Sequence, residues 1–169
     1  ISKETSLLNT SSNTNTSNNP NFSAEYLGID TSLNPSLETT AEDINIGSIG
    51  ASLEQLESCS LISGVGSISA AAAVTTCIQS LPFKLTGYCG IMLPVCEDRR
   101  LSTLASQEEI HRRPTISSLM NISSVCGVGV DTVPLAGDVS AKKIASLLLD
   151  VAGLAARWNK PLSCRVFPC

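Results

Sequence analysis

Two tetrapeptides of one pattern, Gly28-Ile29-Asp30-Thr31 and Gly129-Val130-Asp131-Thr132, each follow an apolar stretch. If both aspartates stand at equivalent strand ends and face one cavity, they form a carboxylate pair. Such a pair can divide acid and base roles or share a metal. Local turn chemistry gives the same letters, because Asp and Thr both bond their own backbone. The second copy lies within CGVGVDTVPLAGDVS, residues 126–140, where Gly127 and Gly129 precede Asp131 at the expected end of a strand, and Gly137-Asp138 precedes a helix. Glycine permits close backbone approach, and the unpaired N–H groups of a helix start favour an anion. Gly127, Gly129, Gly137 and Asp138 are therefore candidate ligand contacts. Asp131 and Asp138 are also candidate ligands for a hard cation such as Mg2+ or Ca2+. The plainer alternative makes Asp138, or Ser140, the helix N-cap and leaves the glycines to packing.

Other residues carry weaker signals. Arg99 and Arg100 are placed to grip a substrate carboxylate, or else to form helix-surface ion pairs after Glu97-Asp98. Gly64-Val65-Gly66 precedes a helix, but Ser69 stands where a dinucleotide-binding pattern needs its third glycine. Cys89 and Cys126 flank glycine turns and are conceivable nucleophiles. With His111 in a polar segment as the single histidine, packing is the better account of both. The seven cysteines include no C-x-x-C pair, which argues against zinc.

These residues need a frame to position them. The 169-residue chain is long enough for one domain with its own core, and 43% apolar against 15% charged residues excludes a wholly disordered chain. A net charge of −4 without a basic stripe argues against nucleic acid as a partner. No apolar run reaches the roughly 18 residues that cross a bilayer. The opening residues lack the order of a signal peptide, so reduced thiols and a cytoplasmic location are expected. Residues 1–23 are dominated by Ser, Thr and Asn and read as a disordered segment; residues 24–169 read as one folded unit.

Within 24–169, residues 24–35 read as a short strand and turn, 52–58 as a short helix, and 67–80 as an Ala-rich helix. Residues 83–95 read as strand and turn, 96–107 and 115–123 as helices, and 124–135 as a buried strand running into a loop. The clearest element is a helix over about 140–159, where Ile144, Leu147, Leu148, Val151, Leu154, Ala155 and Trp158 form one apolar face. Residues 162–168 follow as a strand. Strand, helix, strand is the rhythm of an α/β protein.

Four blocks carry a family resemblance: GIDTSLNPSLE (28–38), AAAAVTTCIQSLPFKLTGYCGIMLPVCEDRRL (70–101), NISSVCGVGVDTVPLAGDVS (121–140) and LLLDVAGLAARWNKPLSCRVFP (147–168). In this order they resemble the later portion of the DUF711 family, also called UPF0210. That resemblance implies an α/β barrel-like fold of the kind seen in glycyl radical enzymes such as pyruvate formate-lyase. It implies no established reaction. Glycyl radical enzymes carry an Arg-Val-x-Gly-Tyr type loop; the similar stretch here is Arg165-Val166-Phe167-Pro168-Cys169, and its proline cannot bear the radical. The resemblance also marks the chain as a fragment or truncated product with an incomplete barrel. The expected function is that of an enzyme acting on a small anionic metabolite without radical chemistry, with Asp30 and Asp131 as its catalytic groups. A ligand-sensing or scaffold protein, or an inactive fragment, is the alternative. Expected partners are the small molecule and either further copies or the missing N-terminal portion of the same protein.

Overall fold

A computed structural model describes residues 24–40, 42, 46–56, 62 and 64–169. The segment 1–23 expected to be disordered lies outside these residues, as do 57–58 of the expected 52–58 helix. The described residues hold five α-helices: α1 (Ile49–Glu54), α2 (Ser67–Gln79), α3 (Arg99–Ser106), α4 (Ile116–Cys126) and α5 (Ala141–Trp158). A 3-10 turn covers Ile110–Arg112, and two strands, β1 (Gly129–Leu135) and β2 (Ser163–Pro168), pair in parallel.

Helices α4 and α5 begin where the sequence supplies a side-chain cap, whereas α2 starts at Gly66 without one. Thr115 and Ser118 form a reciprocal capping box on α4: the Thr115 hydroxyl accepts from the Ser118 N–H at 3.0 Å, and the Ser118 hydroxyl accepts from the Thr115 N–H at 2.9 Å. Ser140, rather than Asp138, caps α5. Asn159 ends α5 in the left-handed conformation at φ 52°, which an Asn tolerates better than most residues. The α4 helix takes in residues 124–126, which the sequence assigned to a strand, because Gly127 closes it with φ 65° and an N–H bonded to the Ser123 carbonyl. The strand therefore starts only at Gly129, and Asp131 lies near its amino end rather than at its carboxyl end.

The two strands belong to a wider parallel arrangement. Isolated parallel bridges join Ile29 to Leu85, Leu33 to Ile91 and Pro94 to Asp131. Extended segments near 29–33, 85–95, β1 and β2 thus lie side by side in chain order. The fold is mixed α/β, and a closed barrel is not present among the described residues. The core gathers Leu101 and Leu104 of α3, Leu119 and Ile122 of α4, Val130 and Val133 of β1, and Leu147 and Val151 of α5. Burial of such side chains contributes about 1.5–3 kcal/mol each. The seven-residue apolar face of α5 is only partly used: Leu147 and Val151 are buried, whereas Leu148 is 49% exposed. Among the described residues no helix is long and apolar enough to cross a membrane.

Candidate functional site

The first tetrapeptide begins with Gly28 at φ 137°, where a Cβ would meet the Lys84 carbonyl oxygen at 2.6 Å. Glycine lets the two segments approach, and Ile29 then exchanges backbone hydrogen bonds with residues 84 and 86. Asp30 is exposed and clasps its own turn to the backbone at 88–89. Its Oδ1 accepts from the Ser32 N–H at 3.0 Å, the Ser32 hydroxyl at 2.6 Å and the Cys89 N–H at 2.9 Å, and its Oδ2 accepts from the Tyr88 N–H at 3.0 Å. Burial acts to raise its pKa, but the hydrogen bonds from Ser32, Cys89 and Tyr88 together outweigh it and hold the carboxyl at about 2.

The second tetrapeptide starts the same way. Gly129, at φ 108°, brings β1 so close to β2 that a Cβ would collide with the Ser163 carbonyl. The outcome at the aspartate differs. Asp131 is only 2% exposed, and both its oxygens receive hydrogen bonds from Arg165 on β2: Nε to Oδ1, and Nη2 to Oδ2 at 2.7 Å. The Arg165 pKa is raised, chiefly by these hydrogen bonds, with burial opposing and the charges of Asp131 and Glu97 adding. Arg165 is itself half-exposed, and its Nη1 lies 3.6 Å from Oε1 of the half-exposed Glu97.

A bulge aims Asp131. The β1–β2 register shifts between Val130 and Val133. In a regular strand, successive carbonyls point to opposite sides. Here the Asp131 and Thr132 carbonyls both accept from the 95–96 segment, from the N–H groups of Val95 at 3.3 Å and Cys96 at 3.2 Å. Thr132 enables this with φ 41°, a strained value for a β-branched residue. Its buried hydroxyl has no hydrogen-bond partner.

The remaining expected site residues are placed elsewhere. Asp30 and Asp131 meet different parts of the 85–95 segment, at Tyr88-Cys89 and at Pro94-Val95 respectively, and share no partner. Gly127 is the C-cap of α4, and the Gly129 N–H is taken by the Ser123 hydroxyl at 2.7 Å, so the 127–129 backbone is occupied. Gly137 and Asp138 form an exposed turn before α5. Arg99 donates to the Leu37 carbonyl through Nε and Nη2, and Arg100 pairs with Glu54 at 2.6 Å; both guanidiniums tie chain segments together. Among the described residues no three His, Cys, Asp or Glu side chains gather as a metal site. At Asp131, the expected Mg2+ or Ca2+ ligand, the cationic partner is a guanidinium. The Cys89 and Cys126 thiols are buried and point at backbone carbonyls, and burial pushes the Cys126 thiol up. His111 is an exposed neighbour of Glu109.

Two charged residues hold roles that their sequence context alone does not give them. Arg165 had a usable signal, since a charge inside the apolar strand LSCRVFP requires a partner. Asp98, fully buried, caps α3 through the Leu101 N–H at 3.1 Å and also holds α1, accepting from the Ser48 hydroxyl and the Ile49 N–H, each at 2.8 Å.

Comparison with known proteins adds a family to this geometry. The model of a family described as Uncharacterised ACR (DUF711) matches residues 2–169. A UPF0210 protein of Pyrobaculum aerophilum is 32% identical over 85 residues, half of this chain and 18% of its own length. UPF0210 proteins of Leuconostoc mesenteroides and Bifidobacterium longum are 31% and 34% identical over similar stretches, 50% and 48% of this chain. Each match spans less than a fifth of the relative's length. No solved structure matches the chain.

Proposed function

The chain belongs to the DUF711 family, and from that premise we propose that it contributes one wall of a binding site for a small carboxylate-bearing metabolite in a cytoplasmic enzyme. The observation that carries this reading is the Asp131–Arg165 pair. Buried Asp131 engages the Nε–Nη2 edge of the guanidinium, which fixes its orientation; the Nη1–Nη2 edge remains on a half-exposed side chain, with Nη1 3.6 Å from Glu97. A pre-oriented guanidinium edge binds a carboxylate with two parallel hydrogen bonds and little loss of side-chain entropy. In this reading Arg165 is the anchor, and Asp131 positions it rather than transferring a proton. Asp30 holds the neighbouring turn of residues 87–89.

We read the parallel segments in chain order as one sector of a glycyl-radical-enzyme-like barrel. No radical is invoked, because Pro168 occupies the position where such a loop needs glycine.

Saturation-transfer NMR on the 169-residue chain, with a panel of small carboxylates and amino acids, tests the proposal. Arg165→Lys keeps a cation against Asp131 but has no second edge. At least one carboxylate is expected to bind the parent chain and to lose about tenfold or more in affinity in a folded Arg165→Lys variant. Unchanged binding, or no carboxylate bound at all, overturns it.

A further inference from the structure

Resting on the reading of Arg165 as a carboxylate anchor, we infer that the ligand is a zwitterion of the α-amino acid type, with its carboxylate on Arg165 and its ammonium on Glu97. The charge pattern around the anchor carries this. Two carboxylates, Asp131 and Glu97, face one guanidinium. Asp131 is buried and committed, but Glu97 and Arg165 are 44% and 50% exposed, and their closest approach is 3.6 Å. That separation is an ion pair without a hydrogen bond, so both groups keep unused capacity. A simple carboxylate arriving at Arg165 meets repulsion from Glu97, and a simple amine at Glu97 meets repulsion from Arg165. An α-amino acid carries both charges on adjacent groups, adds no net charge, and satisfies both side chains together.

Two further features lie on the chain segments that carry Asp131 and Glu97. The bulge that aims Asp131 combines a left-handed β-branched residue with an unpartnered buried hydroxyl at Thr132, costs that gather at functional sites. A hollow of about 260 Å3, lined by Val95, Cys96, Ser102, Ala105 and Pro134, begins at the residue before Glu97.

The test is isothermal titration of the 169-residue chain with the common L-amino acids, followed for each binder by its deaminated acid and its decarboxylated amine. At least one amino acid is expected to bind about tenfold or more tightly than both counterparts. Glu97→Gln, at an exposed position, is expected to abolish that preference while leaving the acid bound; Arg165→Lys is expected to weaken amino acid and acid alike. If the acid binds the parent chain as tightly as the amino acid and still depends on Arg165, the zwitterion inference falls and the carboxylate anchor stands. Binding of neither class, or binding indifferent to Arg165→Lys, removes both.

Discussion

Residues 28–31 and 129–132 start from the same chemistry and part at the aspartate. In both, a glycine at positive φ brings its segment against the backbone of a parallel neighbour. In the first, the aspartate stays at the surface and is consumed by nearby N–H and hydroxyl donors; its threonine hydroxyl donates to the Ile78 carbonyl at 3.2 Å. In the second, a bulge buries the aspartate against an arginine 34 residues away and strands the threonine hydroxyl without a partner. Both aspartates reach partners far along the chain, but Asp30 is met by backbone N–H groups and a neighbouring serine, whereas Asp131 depends on one charged side chain. The repeated motif specifies the backbone approach, while the neighbour supplied to each aspartate decides its role.

Mutations should separate the two along these lines. Arg165→Met leaves the Asp131 carboxylate buried and unpaired, and a loss of about 3–5 kcal/mol is expected in urea unfolding. A loss under about 1 kcal/mol would mean that Asp131 is not dependent on its distant partner. Gly129→Ala, colliding with the Ser163 carbonyl, should cost about 3 kcal/mol, and Gly28→Ala less, since its clash at 2.6 Å is the milder one. The reverse order would break the equivalence drawn between the two glycines.

The pH response sharpens the contrast. Asp30 has a folded pKa of about 2 against an ordinary 3.8. Its contribution is therefore fully present above about pH 4 and lost as pH falls through 2. Discounted for its exposure, this amounts to about 1 kcal/mol. The acid limb of the stability profile should flatten by that amount in Asp30→Asn, and an unaltered limb would show the clasp to be idle. The smallest effects distinguish the threonines. Thr31→Val should lose about 1 kcal/mol with its hydrogen bond, while Thr132→Val should be neutral or stabilising by up to about 1 kcal/mol. Equal losses in thermal melts would place a partner on Thr132.

Much of the frame was legible in the sequence. The Ala-rich run and the 3.6-residue spacing of apolar residues located α2 and α5 to within a residue or two, because both signals are local. Strand β2 was equally clear from its run of apolar residues up to Pro168. The start of β1 was misplaced because an apolar stretch before glycine reads alike as a helix end or a strand, and only the left-handed Gly127 decides. The equivalence of the two tetrapeptides was visible, but not their partners. The Asp131–Arg165 pair depends on parallel register plus a bulge, and neither has a local signature. Arg99 and Arg100 looked like a substrate grip, yet their carbonyl and carboxylate partners come from residues 37 and 54.

Asp98 has a consequence for the order in which the fold assembles. Helix α1 has six residues, too few to persist alone in water. Its first turn is held by a carboxylate 50 positions further along, through the Ser48 hydroxyl and the Ile49 N–H. The first helix of the described residues is therefore expected to be a late one, forming only after the turn at 94–98 has closed, and to be the first lost when that turn opens.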